Sequence, residues 1–109
     1  MKKEYLRNQP TIIVSDYNKQ VPFNVSVTIC EHTLITNDVL RPAQITDGHA
    51  PIPSYGAIYR LIGDGVHTPS FSGGFLKSKA SNDYDPATLN LIVFLYDGVN
   101  YWYTISQAA

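Results

Sequence analysis

The sequence predicts an all-β protein, a β-sandwich or jelly-roll-like domain ending in an aromatic hairpin. Three observations lead there. Short runs of apolar, β-branched and aromatic residues recur along the chain, separated by clusters of Gly, Pro, Asp and Asn. No segment sustains the 3.6-residue apolar period of an amphipathic helix. The last stretch, Leu89 to Ser106 (LNLIVFLYDGVNYWYTIS), reads as two strands folded back on each other.

Taken in order, Met1 to Pro10 is polar and charged, a short helix or an arm that Pro10 ends. Thr11 to Ser15 is a β-branched run, and Asp16 to Gln20 a turn. Phe23 to Cys30 alternates apolar and polar residues without a break. It is expected as a half-buried strand with Phe23, Val25, Val27 and Ile29 inward and Asn24, Ser26 and Thr28 outward. Asn37 to Tyr55, with Pro42, Pro51 and Pro53, reads as a long connection with one brief strand near Gln44 to Thr46. Gly56 to Ile62 is a strand closed by the Gly63-Asp64-Gly65 turn. Val66 to Ala80 is loop and short strand, and Ser81 to Thr88 is turn-rich. The expected division is an N-terminal arm, 1–20, and a β-sandwich domain, 21–109.

The closing hairpin carries the strongest expectation. Asp97-Gly98 supplies residues that tolerate positive φ, so a two-residue turn is expected, with Phe94 opposite Tyr101 and Val93 opposite Trp102. One face then carries Ile92, Phe94, Tyr96, Val99, Tyr101, Tyr103 and Ile105. The other carries Leu91, Val93, Leu95 and Trp102 with Asn100 and Thr104. A hairpin apolar on both faces must be covered twice, by a second sheet and loops or by another copy of the chain.

Composition narrows the function classes. The chain has 109 residues, enough for one domain, and is 44% hydrophobic, 12% aromatic and 16% charged. That balance fits a packed β protein with an uncharged surface and excludes a disordered chain. A net charge of −1 gives no footprint for nucleic acid. The single cysteine, Cys30, precludes an intrachain disulfide, and no stretch resembles a signal peptide or a membrane span. Folding in a cytoplasm without membrane insertion is therefore expected.

No catalytic, metal or cofactor site is expected. His32, His49 and His67 lack the close spacing of a structural zinc motif. Asp83 and Asp85 in Asn82-Asp83-Tyr84-Asp85 offer two carboxylates, but a calcium site needs six or more oxygens. Gly63-Asp64-Gly65 lacks the Lys-Ser/Thr of a phosphate loop. Cys30 lies mid-strand with no base near it in sequence. The Tyr101-Trp102-Tyr103 cluster has two readings, hairpin core or an anchor for a sugar or a protein surface.

Two segments carry a resemblance. The tail from Leu89 to Ile105, in which Phe94-Leu95-Tyr96-Asp97-Gly98 leads to Tyr101-Trp102, resembles the closing motif of bacteriophage and prophage fibre-type structural proteins. Tyr59 to Phe71 (YRLIGDGVHTPSF) is similar to their Gly-Asp-Gly-x-His-Thr-Pro-x-Phe segment, through Gly63, Asp64, Gly65, His67, Pro69 and Phe71. The similarity covers about residues 57–106.

The resemblance implies a small β-sandwich exposed on a virion. Such modules are usually homotrimers and serve as a fibre tip, knob or capsid decoration. Their partners are capsid or tail proteins and in some cases a host surface glycan; no catalytic residues or cofactors come with them. With no shaft ahead of the module, a head fibre or decoration protein attached by residues 1–20 is favoured over a tail fibre tip. Phe94, Tyr96, Tyr101, Trp102 and Tyr103 are then the expected subunit-interface or ligand aromatics. The competing expectation is a carbohydrate-binding module, using an exposed Tyr or Trp and the polar 37–55 loop.

Overall fold

The computed structural model describes residues 12–25, 27–44 and 50–108. Among these there is no helix, and nine strands form two sheets. The strands are β1 (Ile12–Val14), β2 (Gln20–Val21), β3 (Val27–Thr33), β4 (Val39–Pro42), β5 (Gly56–Ile62), β6 (Ser70–Phe71), β7 (Phe75–Lys77), β8 (Leu89–Tyr96) and β9 (Tyr101–Gln107). The larger sheet runs β1-β3-β5-β8-β9-β7 and the smaller β2-β4-β6. Two sheets closing over one core is the layering of a β-sandwich.

The path of the chain is less ordinary. Odd strands up to β5 enter the larger sheet and even strands up to β6 the smaller. Within each sheet these strands are parallel: β1 with β3, β3 with β5, β2 with β4, β4 with β6. The chain thus coils three times between the sheets. Parallel neighbours need a long crossover, usually a helix. Here a short strand in the opposite sheet takes that role and buries its own inner side on the way. The jelly-roll alternative does not hold, because jelly rolls are antiparallel. Antiparallel pairing enters only at the end, where β8 pairs with β5 and with β9.

The core lies between the sheets. Val21 and Leu40 of the smaller sheet join Cys30, Tyr59, Leu61, Ile92, Phe94 and Ile105 of the larger, with Phe23 and Leu34 from the connections. Tyr17, Phe71, Phe75, Tyr84, Tyr96, Tyr101 and Tyr103 pack around them. Phe75 stands 5.1 Å from Phe94 and Phe23 5.0 Å from Tyr101, tilted ring contacts in the favoured separation range.

Several expectations are corrected. The 37–55 connection contains β4, at Val39–Pro42 rather than near Gln44 (Thr46 lies outside the described residues). Pro42 is admitted because a last strand residue need not donate. Phe23 is buried as expected, but the strand begins at Val27 and its faces are reversed. Thr28 and Cys30 point into the core, while Val27 and Ile29 are only half-buried on the other side. Residues 12–20 do not stand apart as an arm. β1 pairs with β3, the Tyr59 hydroxyl donates to the Asn18 carbonyl at 2.7 Å, and Tyr17 joins the core. Residues 1–11 lie outside the described residues.

The hairpin loop is longer than the expected two residues. Phe94 pairs with Tyr103 and Tyr96 with Tyr101, so residues 97–100 form the loop. Asp97 sets that length. Its Oδ1 accepts the backbone N–H groups of Val99 (2.8 Å) and Asn100 (2.6 Å), and Gly98 takes φ of +97°. The change moves the pairing by two residues, an even number. The faces of the paired strands are therefore those the sequence predicts, although Val99 leaves the inner face and stands exposed.

Candidate functional site

The two faces of the larger sheet differ sharply in what covers them. On the inner face, Cys30, Tyr59, Ile92 and Ile105 are adjacent across four strands, and all are buried. On the outer face the register places Val14, Ile29, Ile58, Val93 and Thr104 side by side across five strands. The row beside it holds Val27, Gly56, Leu95, Trp102 and Leu76. The row on its other side holds Glu31, Arg60, Leu91 and Ser106.

This outer face is apolar and open. Leu91, Val93, Leu95 and Leu76 keep 37–44% of their surface exposed. A wet sheet face ordinarily alternates to polar residues. Here seven of the ten residues in the first two rows turned away from the core are Val, Ile or Leu, while the inner side of β3 receives Thr28 and Cys30. On β3, β5, β8 and β9 the charged outer residues are Glu31 and Arg60, paired with each other at 3.0 Å.

The sheet edge beside β9 is closed instead. β7 covers Tyr101 to Tyr103. Beyond it, Ser78 and Asn82 donate backbone N–H to the carbonyls of Tyr103 and Ile105 at 2.9 and 2.8 Å. The Ser81 hydroxyl accepts the Ile105 N–H at 2.8 Å, and Gln107 Nε2 donates to the Asp83 carbonyl at 2.9 Å. A loop thus satisfies groups that would otherwise template strand addition. Lys77 and Asp83 pair across it.

The predicted aromatics separate onto the two faces. Phe94 is buried. Tyr96 and Tyr101 stack on each other at 4.6 Å, and Tyr103 stacks on Phe71 at 3.8 Å, all on the inner side. Trp102 alone of the five lies on the outer face. Its indole N–H donates to Asp97 Oδ2 at 2.9 Å, so the carboxylate that shapes the loop also fixes the ring. Hydrogen bonds from Asn100, Trp102 and Val99 hold the Asp97 carboxyl below its ordinary range. A shallow groove of about 420 Å³ runs beside the ring, lined by Ser78, Val93, Leu95, Asp97 and Thr104.

The Gly-Asp-Gly segment lies at the opposite end of the sheet. Gly56 pairs with Leu95 next to the hairpin loop, whereas Ile62 pairs with Leu89. Gly63 and Gly65 donate N–H to the carbonyls of Thr88 and Pro86 at 2.9 and 2.7 Å, locking two turns together. Asp64 Oδ1 accepts the N–H groups of Val66 and His67, and Oδ2 meets His67 Nδ1 at 2.5 Å. These bonds, the His67 backbone N–H first, pull the Asp64 carboxyl down to about 2. Of this motif, Phe71 reaches the hairpin, through Tyr103; Pro69 is half-buried in the approach to β6.

Two polar features complete the survey. Asp38, 7% exposed, accepts the Tyr17 hydroxyl at 2.7 Å and the Thr36 hydroxyl, with Lys19 Nζ at 3.6 Å. The other is a cleft of about 440 Å³ lined by Asp16, Asn18, Gln20, Asn24, Thr28 and Tyr59 among others. Among the described residues no three His, Cys, Asp or Glu side chains gather as a metal site. His32 stacks on Tyr17 at 3.9 Å, and His49 lies outside the described residues.

Sequence reasoning found the hairpin's share of the outer face and missed the share from β1, β3 and β5. The signal was present in the alternation of β3. The structure reverses its parity, because the apolar residues of β3 face outward and Thr28 and Cys30 face the core. No family model matches the chain, and no curated protein or solved structure matches it significantly.

Proposed function

We propose that the chain is a non-enzymatic structural module of a virion. In this reading it is a homotrimeric head fibre or capsid-decoration protein that contacts other virion proteins and presents its surface to the host. The observation that carries the reading is the open apolar face of the larger sheet, on a domain whose β9 edge is closed by its own loop. A face of that kind suits an assembly component and has no use in a free monomer. The resemblance of residues 57–106 to phage fibre-type proteins supports the virion setting. The test is to raise an antibody to the chain and probe virus particles purified from cultures of the cells that produce it. Co-sedimentation of the chain with intact particles, and a trimer mass for the isolated chain by light scattering, are the expected results. A chain found only in the particle-free lysate overturns the virion setting, and a monomer at micromolar concentration overturns the assembly.

One observation favours glycan recognition as a second reading. The cleft beside Tyr59 sets amides, hydroxyls and the Asp16 carboxylate among apolar Pro22, Val25 and Ala43, with no basic residue, chemistry that suits neutral hydroxyl-rich ligands. Binding on a broad glycan panel, lost on substitution of Asn18 or Gln20, would favour it; a blank panel removes it.

A further inference from the structure

We propose that the outer face of the smaller sheet holds a binding site for a hydroxycarboxylate, a small ligand with one carboxylate beside hydroxyl groups, seated between Lys19 and Arg41. The site lies across the core from the open apolar face and is independent of both readings above.

Strand parity and register build it. Leu40 and Pro42 of β4 turn into the core, so Val39 and Arg41 turn out. Arg41 pairs with Gln20 of β2, and its backbone N–H donates to the Lys19 carbonyl at 2.9 Å. The two cations are thereby set on neighbouring segments of one face. On the other side of β4, the Ser72 N–H donates to the Leu40 carbonyl at 2.9 Å. A cleft of about 500 Å³ opens between these residues and Asn18, with no carboxylate in its lining.

Three observations specify the ligand. The first is an unmatched guanidinium. Among the described residues Arg60 pairs with Glu31 and Lys77 with Asp83, whereas Arg41 has no acidic partner. Its planar fork matches a carboxylate through two parallel hydrogen bonds. The second is the charge balance. Lys19 Nζ stands 3.6 Å from Asp38 Oδ1, beyond hydrogen-bond length, so its donors stay available while Asp38 offsets its charge. Two bases and one acid leave a single positive charge, which a monoanion matches and a phosphate dianion does not. The third is the neutral part of the lining. The amides of Asn18 and Gln20 and the Ser72 hydroxyl flank the cations, chemistry that suits hydroxyl groups next to the carboxylate.

The test uses the full chain and amide-resolved NMR titrations with glucuronate, glucose, acetate and inorganic phosphate. Glucuronate should shift the amides of Gln20, Arg41 and Ser72 saturably, and bind more tightly than acetate or phosphate. Arg41→Ala and Lys19→Ala should each weaken it at least about 10-fold, the scale of one lost charge-assisted hydrogen bond. Arg41→Lys should recover only part of the loss, because the charge returns without the fork. Both side chains face solvent, so circular dichroism of the variants should be native. Arg60→Ala, a cation of the larger sheet, should leave binding unchanged; an equal loss there reduces the effect to net charge and overturns the site. Absence of saturable shifts with glucuronate, or tighter binding of phosphate, also overturns it. If glucuronate binds no better than glucose and Arg41→Ala changes neither, the proposal falls while neutral glycan recognition beside Tyr59 stands. Glucuronate binding with no response to glucose supports the proposal and counts against that second reading.

Discussion

Asp38 is a buried carboxylate with three partners, Tyr17, Thr36 and Lys19, and it ties the first coil to the second. Burial alone would raise its pKa, but hydrogen bonds from Thr36 and Tyr17 and the charge of Lys19 outweigh it and hold the carboxyl below its ordinary value. A depressed carboxyl stabilises the fold above the unfolded-state pKa of about 3.9 and loses that contribution as pH falls through the lower folded value. Urea unfolding at pH 7 and near pH 3 should therefore show a smaller acid loss in Asp38→Asn than in the parent. Tyr17→Phe removes one bond to a charged acceptor and should cost about 1–2 kcal/mol at pH 7. Asn90 is the other buried polar residue of note. It is the one polar break in the apolar run of β8, and all its hydrogen-bonding capacity is used. Its amide donates to the carbonyls of Asp85 and Thr88, and its oxygen accepts from Asp85 N–H and Gln107. Asn90→Ala should cost about 2–3 kcal/mol, read by the same unfolding curves. Cys30 is buried, with its thiol pushed up to about 12 by desolvation. A thiol reagent should label it only as fast as the domain opens.

At the level of the elements, glycine placement shows which pairings are tight. A Cβ on Gly56 would stand inside contact distance of the Phe94 carbonyl, at the start of the β5–β8 pairing. Gly65 has φ of +91° with open space around it. Gly56→Ala must displace backbone in the central strand pair and should cost more than about 3 kcal/mol. Gly65→Ala meets only the conformational penalty of about 1 kcal/mol. Thermal melts of the two variants check that ordering. Both motifs noted in the sequence have structural work here. The Gly-Asp-Gly turn locks onto residues 86–88, and the Asp97 carboxylate builds the hairpin loop and holds Trp102. Their spacing in sequence follows from β5 and β8 being full-length partners, with one motif at each end of the pair.

For the whole molecule, the decisive property is that one layer is covered once and the other face of the same layer is not. The smaller sheet and the connections close the inner side, while on the outer side Leu76, Leu91, Val93 and Leu95 stay exposed. Under the proposed assembly, stability would depend on protein concentration, because folding and association would be linked. The melting temperature should rise with concentration in the parent chain and stay constant in Val93→Glu. Because the face is apolar, this dependence should hold in high salt, where a contact built on ion pairs would weaken.

Local chemistry is what the sequence by itself determined. β-branched and aromatic runs between turn clusters gave an all-β chain, the bounds of β5 and β8, and the two-faced hairpin, because side-chain period and turn residues act over neighbouring positions. The hairpin faces survived even a wrong loop length, since a shift of two residues preserves parity. Only the tertiary structure decided the rest. The parallel coil between two sheets joins residues far apart in sequence, and its pairings leave no local periodicity to read. The orientation of β3 was decided in the same way. Alternation says that Val27 and Ile29 share a side but not which side is the core. When a sheet has apolar residues on both faces, the one that becomes the interior is chosen by the second sheet that reaches it.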